Sequence, residues 1–322
     1  MITLSALAKL AHVSISTASK AFSGSREVNE QTREAIFSLA KEHGVFKKFY
    51  NAKYPKLVIA ALVPEFHSGH YSLLLSQLQK CLHDKGCTMT VTACDFLSEE
   101  IDRAYDYYSH YTDVDGVIVV DNGAFFPKEM PGPTVWIGSA AEMAVTPKIT
   151  IDGRAAVKTA LSYLKSKGVT KVGYIAEDKT RGKLQMFQEV MEEVYGAYEP
   201  KYTVITEGRF EEAGYAGMKR LIEENRLPRA VLCGYDEIAM GAMRCLADHG
   251  LSVPKDVALI GYNENHGARY AVPSLSTIDI QHEKCAALAV DVILNEIFSK
   301  PIEGSLRVEA VFCPRESSEI QD

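Results

Sequence analysis

The sequence predicts an N-terminal all-α helix-turn-helix head followed by an α/β body of two lobes, each a doubly wound parallel sheet. Three observations carry this expectation. Capped helical stripes fill the first fifty residues, strand and helix patterns then alternate to the end, and opposite net charges divide the two parts.

In the head, Thr3, Ser14 and Asn29 each stand at a helix start, with a side-chain oxygen able to accept an orphan backbone N–H. Leu4, Leu7, Ala8 and Ala11 make one apolar stripe. Val13, Ala18, Ala21 and Phe22 make a second, and Ala35, Ile36, Leu39 and Ala40 a third. Only a tight turn separates the first two stripes, which describes a helix-turn-helix unit. Such a unit offers the outer face of its second helix to the DNA major groove. Ile15, Ser16, Ser19 and Lys20 fall on that face, Ile15 suited to a thymine methyl and Lys20 to a guanine edge or a phosphate. Thr3, Ser14, Asn29 and Thr32, at helix starts, suit phosphate oxygens. Residues 1–53 hold eight Lys or Arg against four Glu, a net +4, which leaves −11 for the rest of a chain whose net charge is −7. A basic head on an acidic body suits one end meeting phosphate.

The body follows a linker expected over 47–56, the head itself occupying 1–46. Strands are expected near 57–64, 88–94, 116–120 and 133–138, then 171–176, 202–206, 230–233, 257–261, 278–280 and 306–312. Helices are expected near 70–85, 99–110, 153–167, 182–195, 211–225, 237–249 and 283–299. One sheet of so many strands would be large, so two lobes are expected, one from about 57–150 with 281–299, the other from about 153–276 with 303–316. At 47% hydrophobic residues the chain can fill such cores. Seven cysteines without a C-x-x-C pattern read as reduced thiols. With no leader pattern and no apolar run of membrane-spanning length, a cytoplasmic protein without a membrane partner is expected.

Ligands of doubly wound sheets bind beyond the carboxyl ends of the strands. The candidates there are Tyr71 in the 67–71 loop, Asp121 and Trp136 in the first lobe, and Arg181, Lys183, Phe210, Tyr235, Asp236 and Asn263 in the second. Amides, carboxylates and cations bind hydroxyl-rich ligands, and an aromatic face packs on a ring. Enzyme chemistry is poorly served: no G-x-G-x-x-G follows the first strand and no phosphate-binding G-x-x-x-x-G-K-(S/T) occurs. His67-Ser68-Gly69-His70 lacks further ligands at helical spacing and reads as a solvent loop; Cys81, Cys87 and Cys94 are poorly placed for zinc. No catalytic set, metal or cofactor is expected. A ligand-responsive DNA-binding regulator explains both parts of the chain; a solute-binding protein or a doubly wound enzyme explains only the body.

The head pattern T-L-x-x-L-A-x-x-A-x-V-S-x-x-T-x-S-K, followed by V-x-x-x-T-R-E, resembles the DNA-binding head of LacI/GalR-type regulators. Gly234-Tyr235-Asp236-Glu237-Ile238-Ala239, the segment from Gly250 through Val253-Pro254 to Gly261-Tyr262-Asn263, and Pro273-Ser274-Leu275-Ser276-Thr277-Ile278 resemble segments of that family's body. The resemblance implies a periplasmic-binding-protein-like fold and a homodimer on a pseudo-palindromic double-stranded operator. It implies a repressor controlled by a small polar effector, a sugar or related metabolite, held between the lobes. It places Asp152, Lys183, Phe210, Asp236 and Asn263 at or near effector positions. Lys183 stands where the family usually has Arg, Tyr235 where it has Asn and Asn263 where it has Asp, which argues against a well-known sugar effector. The family's A-R-x-L hinge helix corresponds to Asn51-Ala52-Lys53-Tyr54, and Pro55 stops any helix there. Tyr54 could stack on or insert into DNA. The expectation is a less kinked operator, with coupling carried by head spacing.

Overall fold

The computed structural model describes residues 2–22, 25, 27–50, 57–112, 114–121, 130, 132–138 and 146–320, with the side chain of Arg181 outside the description. The head consists of α1 (Leu4–Leu10), α2 (Ile15–Phe22), α3 (Glu30–Glu42) and α4 (Phe46–Phe49). Its core joins Leu7, Ala21, Phe22, Val28, Ile36, Ala40 and Val45. Alanines at the contact positions let the short helices approach closely, and aromatic rings fill the remainder. Phe37 lies 5.3 Å from Phe22 and 4.9 Å from Phe46, and Phe46 stacks on Tyr50 at 4.9 Å. The head therefore extends to Tyr50, beyond the boundary expected at residue 46, because Phe46, Phe49 and Tyr50 are needed to seal its core. Within the expected linker, Lys47 pairs with the buried Asp115 of the body, and 51–56 lie outside the described residues.

The body begins with β1 (Leu57–Val63), α5 (Gly69–Asp84), β2 (Cys87–Ala93), α6 (Ser98–Tyr111), β3 (Gly116–Val120), β4 (Thr134–Gly138) and β5 (Lys148–Asp152). It continues through α7 (Arg154–Ser166), β6 (Val172–Glu177), α8 (Arg181–Tyr195), β7 (Thr203–Thr206), α9 (Phe210–Glu223), β8 (Ala230–Cys233), α10 (Asp236–Asp248), β9 (Ala258–Ile260) and α11 (His266–Tyr270). It closes with β10 (Thr277–Asp279), α12 (His282–Ile297), β11 (Arg307–Glu309) and β12 (Val311–Cys313).

Two parallel sheets result, ordered β11-β5-β4-β3-β1-β2 and β7-β6-β8-β9, with a separate antiparallel β10–β12 pair. β1 shows why its run is apolar throughout: Ile59 and Val63 face α5 and α12, while Ala60 and Leu62 face α6. The second sheet is likewise covered on both sides, by α7 and α8 on one face and by α9 and α10 on the other. The segment 303–316, expected in the second lobe with a single strand at 306–312, divides. Its Arg307–Glu309 part extends the first sheet against β5, and Val311–Cys313 pairs with β10. The strand order reverses at β1/β3 in one sheet and at β6/β8 in the other, the two places where such sheets open a crevice for ligands. Among the described residues no helix is long and apolar enough to cross a membrane.

Candidate functional site

The head presents two kinds of polar group. Thr3 Oγ1 accepts from the Ala6 N–H at 3.2 Å, Ser14 Oγ from Thr17 at 2.9 Å and Asn29 Oδ1 from Thr32 at 2.8 Å. These oxygens cap α1, α2 and α3; the Thr3 hydroxyl and the Asn29 amide each keep a hydrogen to donate to a phosphate, while the Ser14 hydroxyl also shares a 2.8 Å hydrogen bond with that of Thr17. Thr32 gives its backbone N–H to Asn29. On α2, Ala18, Ala21 and Phe22 are buried while Ser16, Ser19 and Lys20 are exposed. Ile15 is 53% exposed, an apolar side chain on the outward face of a helix with nothing of its own to pack on. Lys20 forms an ion pair with Glu27 from the following loop. Arg33 staples that loop, donating to the carbonyls of Ser25 at 2.8 Å and Val28 at 3.1 Å. The corner between α1 and α2 places His12 at φ 53°, in the left-handed region. Tyr54 lies outside the described residues.

A second constellation forms where the carboxyl ends of the two sheets face each other. Arg209, just before α9, sends both terminal nitrogens to Glu65 beyond β1, at 2.6 and 2.7 Å, and its Nε to Glu177 at the end of β6, at 3.1 Å. One guanidinium thereby joins the lobes through a bidentate pair and a second carboxylate. Its planar face lies over Phe210 (4.4 Å) and near Phe96 (5.2 Å), and Lys179 stacks on Phe96 from the second lobe at 3.9 Å. His67 meets Phe210 edge-on at 4.8 Å, and the Gly69 N–H donates to Glu237 at 3.1 Å. Beside this cluster, His70 Nδ1 lies 3.0 Å from His282 Nε2; burial holds both rings below the ordinary histidine pKa, His282 at about 4. The reading of 67–70 as a plain solvent loop is thereby corrected: His67 is exposed, but His70 turns inward to α12.

The candidate ligand residues separate on this geometry. Phe210, Tyr235, Lys183 and Asn263 come together. Phe210 has φ 55°, a strained conformation for a bulky residue, and its N–H donates to the Tyr235 hydroxyl at 3.0 Å. Lys183 donates to the Gly234 carbonyl at 3.0 Å and to Asn263 Oδ1 at 3.4 Å, with its ammonium 4.0 Å from the Tyr262 ring centroid. Asn263 is itself held at φ 100°. Tyr71 is buried next to this region, its hydroxyl pushed up in pKa by burial and then by Glu65. Asp121, at the end of β3, lies buried 3.6 Å from Lys148.

Three candidates serve other ends. Asp236 is 0% exposed with both oxygens engaged inside the protein: Oδ2 accepts from Asn265 N–H at 2.6 Å and Oδ1 from the Thr277 hydroxyl at 2.5 Å. A Cβ on Gly261 would fall 2.1 Å from Oδ1, so this carboxyl is clamped between β9 and β10. Trp136 is 1% exposed in the core under α6, because it sits mid-strand in β4 rather than at its end. Asp152 accepts from the Arg154 N–H at 2.8 Å and pairs with Arg307, fixing the point where the chain leaves the first sheet. The Arg181 side chain lies outside the described residues. Missed from sequence were Glu65, Phe96, Glu177, Lys179 and Arg209; the only prior signal was their place at strand ends. Among the described residues no group of three or more His, Cys, Asp or Glu is placed to hold a metal ion.

Comparison with known proteins follows the same two-part division. Residues 3–45 match the family described as "Bacterial regulatory proteins, lacI family", and residues 161–318 match the "Periplasmic binding protein-like domain". The HTH-type transcriptional repressor PurR of Escherichia coli O1:K1 is 29% identical over 326 residues, covering 93% of this chain and 92% of that protein. PurR of Salmonella paratyphi B is also 29% identical, over 94% of this chain and 93% of its own. The solved lac repressor dimer bound to operator and the anti-inducer ONPF has a TM-score of 0.74 at 17% identity, covering 98% of this chain and 99% of that one. A transcriptional regulator CelR–cellobiose complex has a TM-score of 0.67 at 23% identity, covering 98% and 100%.

Proposed function

Because this chain belongs to the LacI/GalR family of bacterial transcriptional regulators, we propose that it acts as a homodimeric repressor whose two heads read a pseudo-palindromic operator. Regulators of this family are sequence-specific DNA-binding proteins rather than enzymes. The observation that carries the DNA half of the proposal is Ile15, exposed beside Ser16, Ser19 and Lys20 on the outward face of α2. Laid in the major groove, that face offers a methyl contact, two hydroxyls and one long cation to the base edges. Thr3, Ser14, Asn29 and Thr32 then stand by the flanking phosphates.

The effector half places a small polar metabolite against Phe210, Tyr235, Lys183 and Asn263, where the two sheet ends meet. PurR is a repressor by name, the lac repressor structure holds an anti-inducer and the CelR structure holds cellobiose; by analogy the cleft here takes a sugar-sized ligand. Pro55 interrupts the sequence where the family carries a hinge helix, which supports coupling through the distance between the two heads rather than through a leucine wedge. Selection of bound sequences from a random DNA pool tests the proposal. Two inverted half-sites, a helical turn apart or nearly so, are the expected result; a single asymmetric site would overturn the dimeric reading.

A further inference from the structure

Resting on the effector-cleft reading above, we propose that the effector is an anion, a sugar-sized metabolite whose phosphate or carboxylate oxygens bind Lys183 where the lobes meet. The groups in contact with the Lys183 ammonium are all neutral. Its ammonium donates to the Gly234 carbonyl (3.0 Å) and to the Asn263 amide oxygen, a long bond at 3.4 Å, and it rests on the Tyr262 ring. Among the described residues no carboxylate contacts it, although Asp236, Glu237 and Glu177 lie near enough to favour its charge against the larger effect of burial. The nearby carboxyls are engaged elsewhere. Glu177 holds Arg209, Asp236 holds Asn265 and Thr277, and Glu237 holds the Gly69 N–H.

A desolvated ammonium without a contacting anion is costly, and burial accordingly draws the Lys183 pKa down to about 8. Across the cleft stand His70 and His282, bonded to each other and uncharged at neutral pH, and the positive charge of Lys183 contributes to keeping them so. Lys183 thus holds a desolvated charge that Asp236, Glu237 and Glu177 offset only from beyond contact, opposite a neutral histidine pair. An entering anion supplies what the fold withholds: it takes the ammonium from the long Asn263 bond and neutralises it in a low-dielectric setting. A neutral hydroxyl would leave the ammonium without a contacting anion. The Lys–Asn combination is what sets this preference, since an aspartate at position 263 would have supplied the anion internally.

The test is a thermal-shift and calorimetric panel on the full chain, using matched probes: glucose, glucose 6-phosphate and gluconate; ribose and ribose 5-phosphate; and inorganic phosphate alone. The expected result is binding by phosphorylated or carboxylated members and not by their neutral parents, the phosphate and gluconate arms showing which anion is preferred. Lys183→Gln should weaken that binding about ten- to a hundredfold, the loss of one charge-assisted contact. Asn263→Asp, which leaves Lys183 in place and whose folding is checked by its melting curve, should weaken it comparably by occupying the ammonium. Binding of a neutral parent as strongly as its anion, anion binding that survives both variants, or no anion binding at all would overturn the anionic assignment. A neutral sugar that binds and changes operator affinity would do so while leaving the effector-cleft reading intact.

Discussion

Arg209→Ala should open the cleft. In the closed arrangement Glu65 and Glu177 have side chains 16% and 3% exposed, and the Arg209 guanidinium compensates both. Removing it strands two carboxylates, and breaking a buried pair by deleting one partner costs about 3–5 kcal/mol. Glu65 can recover hydration if the lobes separate, whereas Glu177, at the end of β6 against Tyr235, stays buried. The part that bears on closure is therefore the Glu65 bond alone, about 1.5–3 kcal/mol for a hydrogen-bonded charge pair. At about 1.4 kcal/mol per tenfold, the closed-to-open ratio falls by about ten- to a hundredfold. Small-angle scattering and fluorescence energy transfer between dyes on α6 and α9 would read this in the ligand-free protein, with thermal melting to verify that the variant folds. Glu65→Gln, which keeps hydrogen bonding but removes the charge, should give a smaller opening. An inter-lobe distance unchanged in Arg209→Ala would refute the latch.

Further outcomes follow from other strained or buried groups. Phe210→Ala should reduce the thermal shift produced by whichever sugar, sugar phosphate or nucleobase stabilises the wild type, beyond any lowering of the free protein's melting temperature from lost packing on His67, Tyr235 and Arg209; equal shifts would remove Phe210 from the effector contacts. Burial raises the Asp236 carboxyl from its ordinary 3.8 to about 8, so the folded state holds a proton that the unfolded state releases. That stabilising contribution is fully present below about pH 4 and is lost as pH rises toward 8. Asp236→Asn should flatten this decline in urea midpoints, and parallel slopes for variant and wild type would contradict it. His12→Gly should stabilise the isolated transition of the head by about 1 kcal/mol, because His12 occupies the left-handed corner that glycine adopts freely; calorimetry showing a loss instead would mean that the imidazole makes a contact worth more than the strain.

The head was legible because its information is local. Thr3, Ser14 and Asn29 each cap a helix three residues away, and the alanine stripes announce close packing within a few turns. The alternation of the body was equally plain, as β1 shows with apolar residues toward both covering layers. Legibility failed where pairing is distant. Nothing near Arg209 announces Glu65, 144 residues earlier, and the short β5 and α11 carry too few residues for a period to emerge. Trp136 and Asp236 show the complementary error. A polar or aromatic residue near a strand end looks like a ligand group, but one sits mid-strand over a core and the other is used up by Asn265 and Thr277. At 307–309 the chain crosses back to the first sheet, a choice decided by the edge that β5 leaves open rather than by local pattern.

The most direct measurement is a fluorescence-anisotropy titration of the full chain on DNA from upstream of its own gene, in competition with random duplex, for wild type and Lys20→Ala. In the free head Lys20 is paired with Glu27, an exposed bond easily exchanged for a base edge. The account predicts site-specific binding by the wild type at least about a thousandfold tighter than to random duplex. It predicts a loss of about 1–3 kcal/mol at the specific site in Lys20→Ala, with relaxed preference at one base pair. Equal affinity of the wild type for both DNAs, or an operator affinity indifferent to Lys20, would contradict α2 as the reading element.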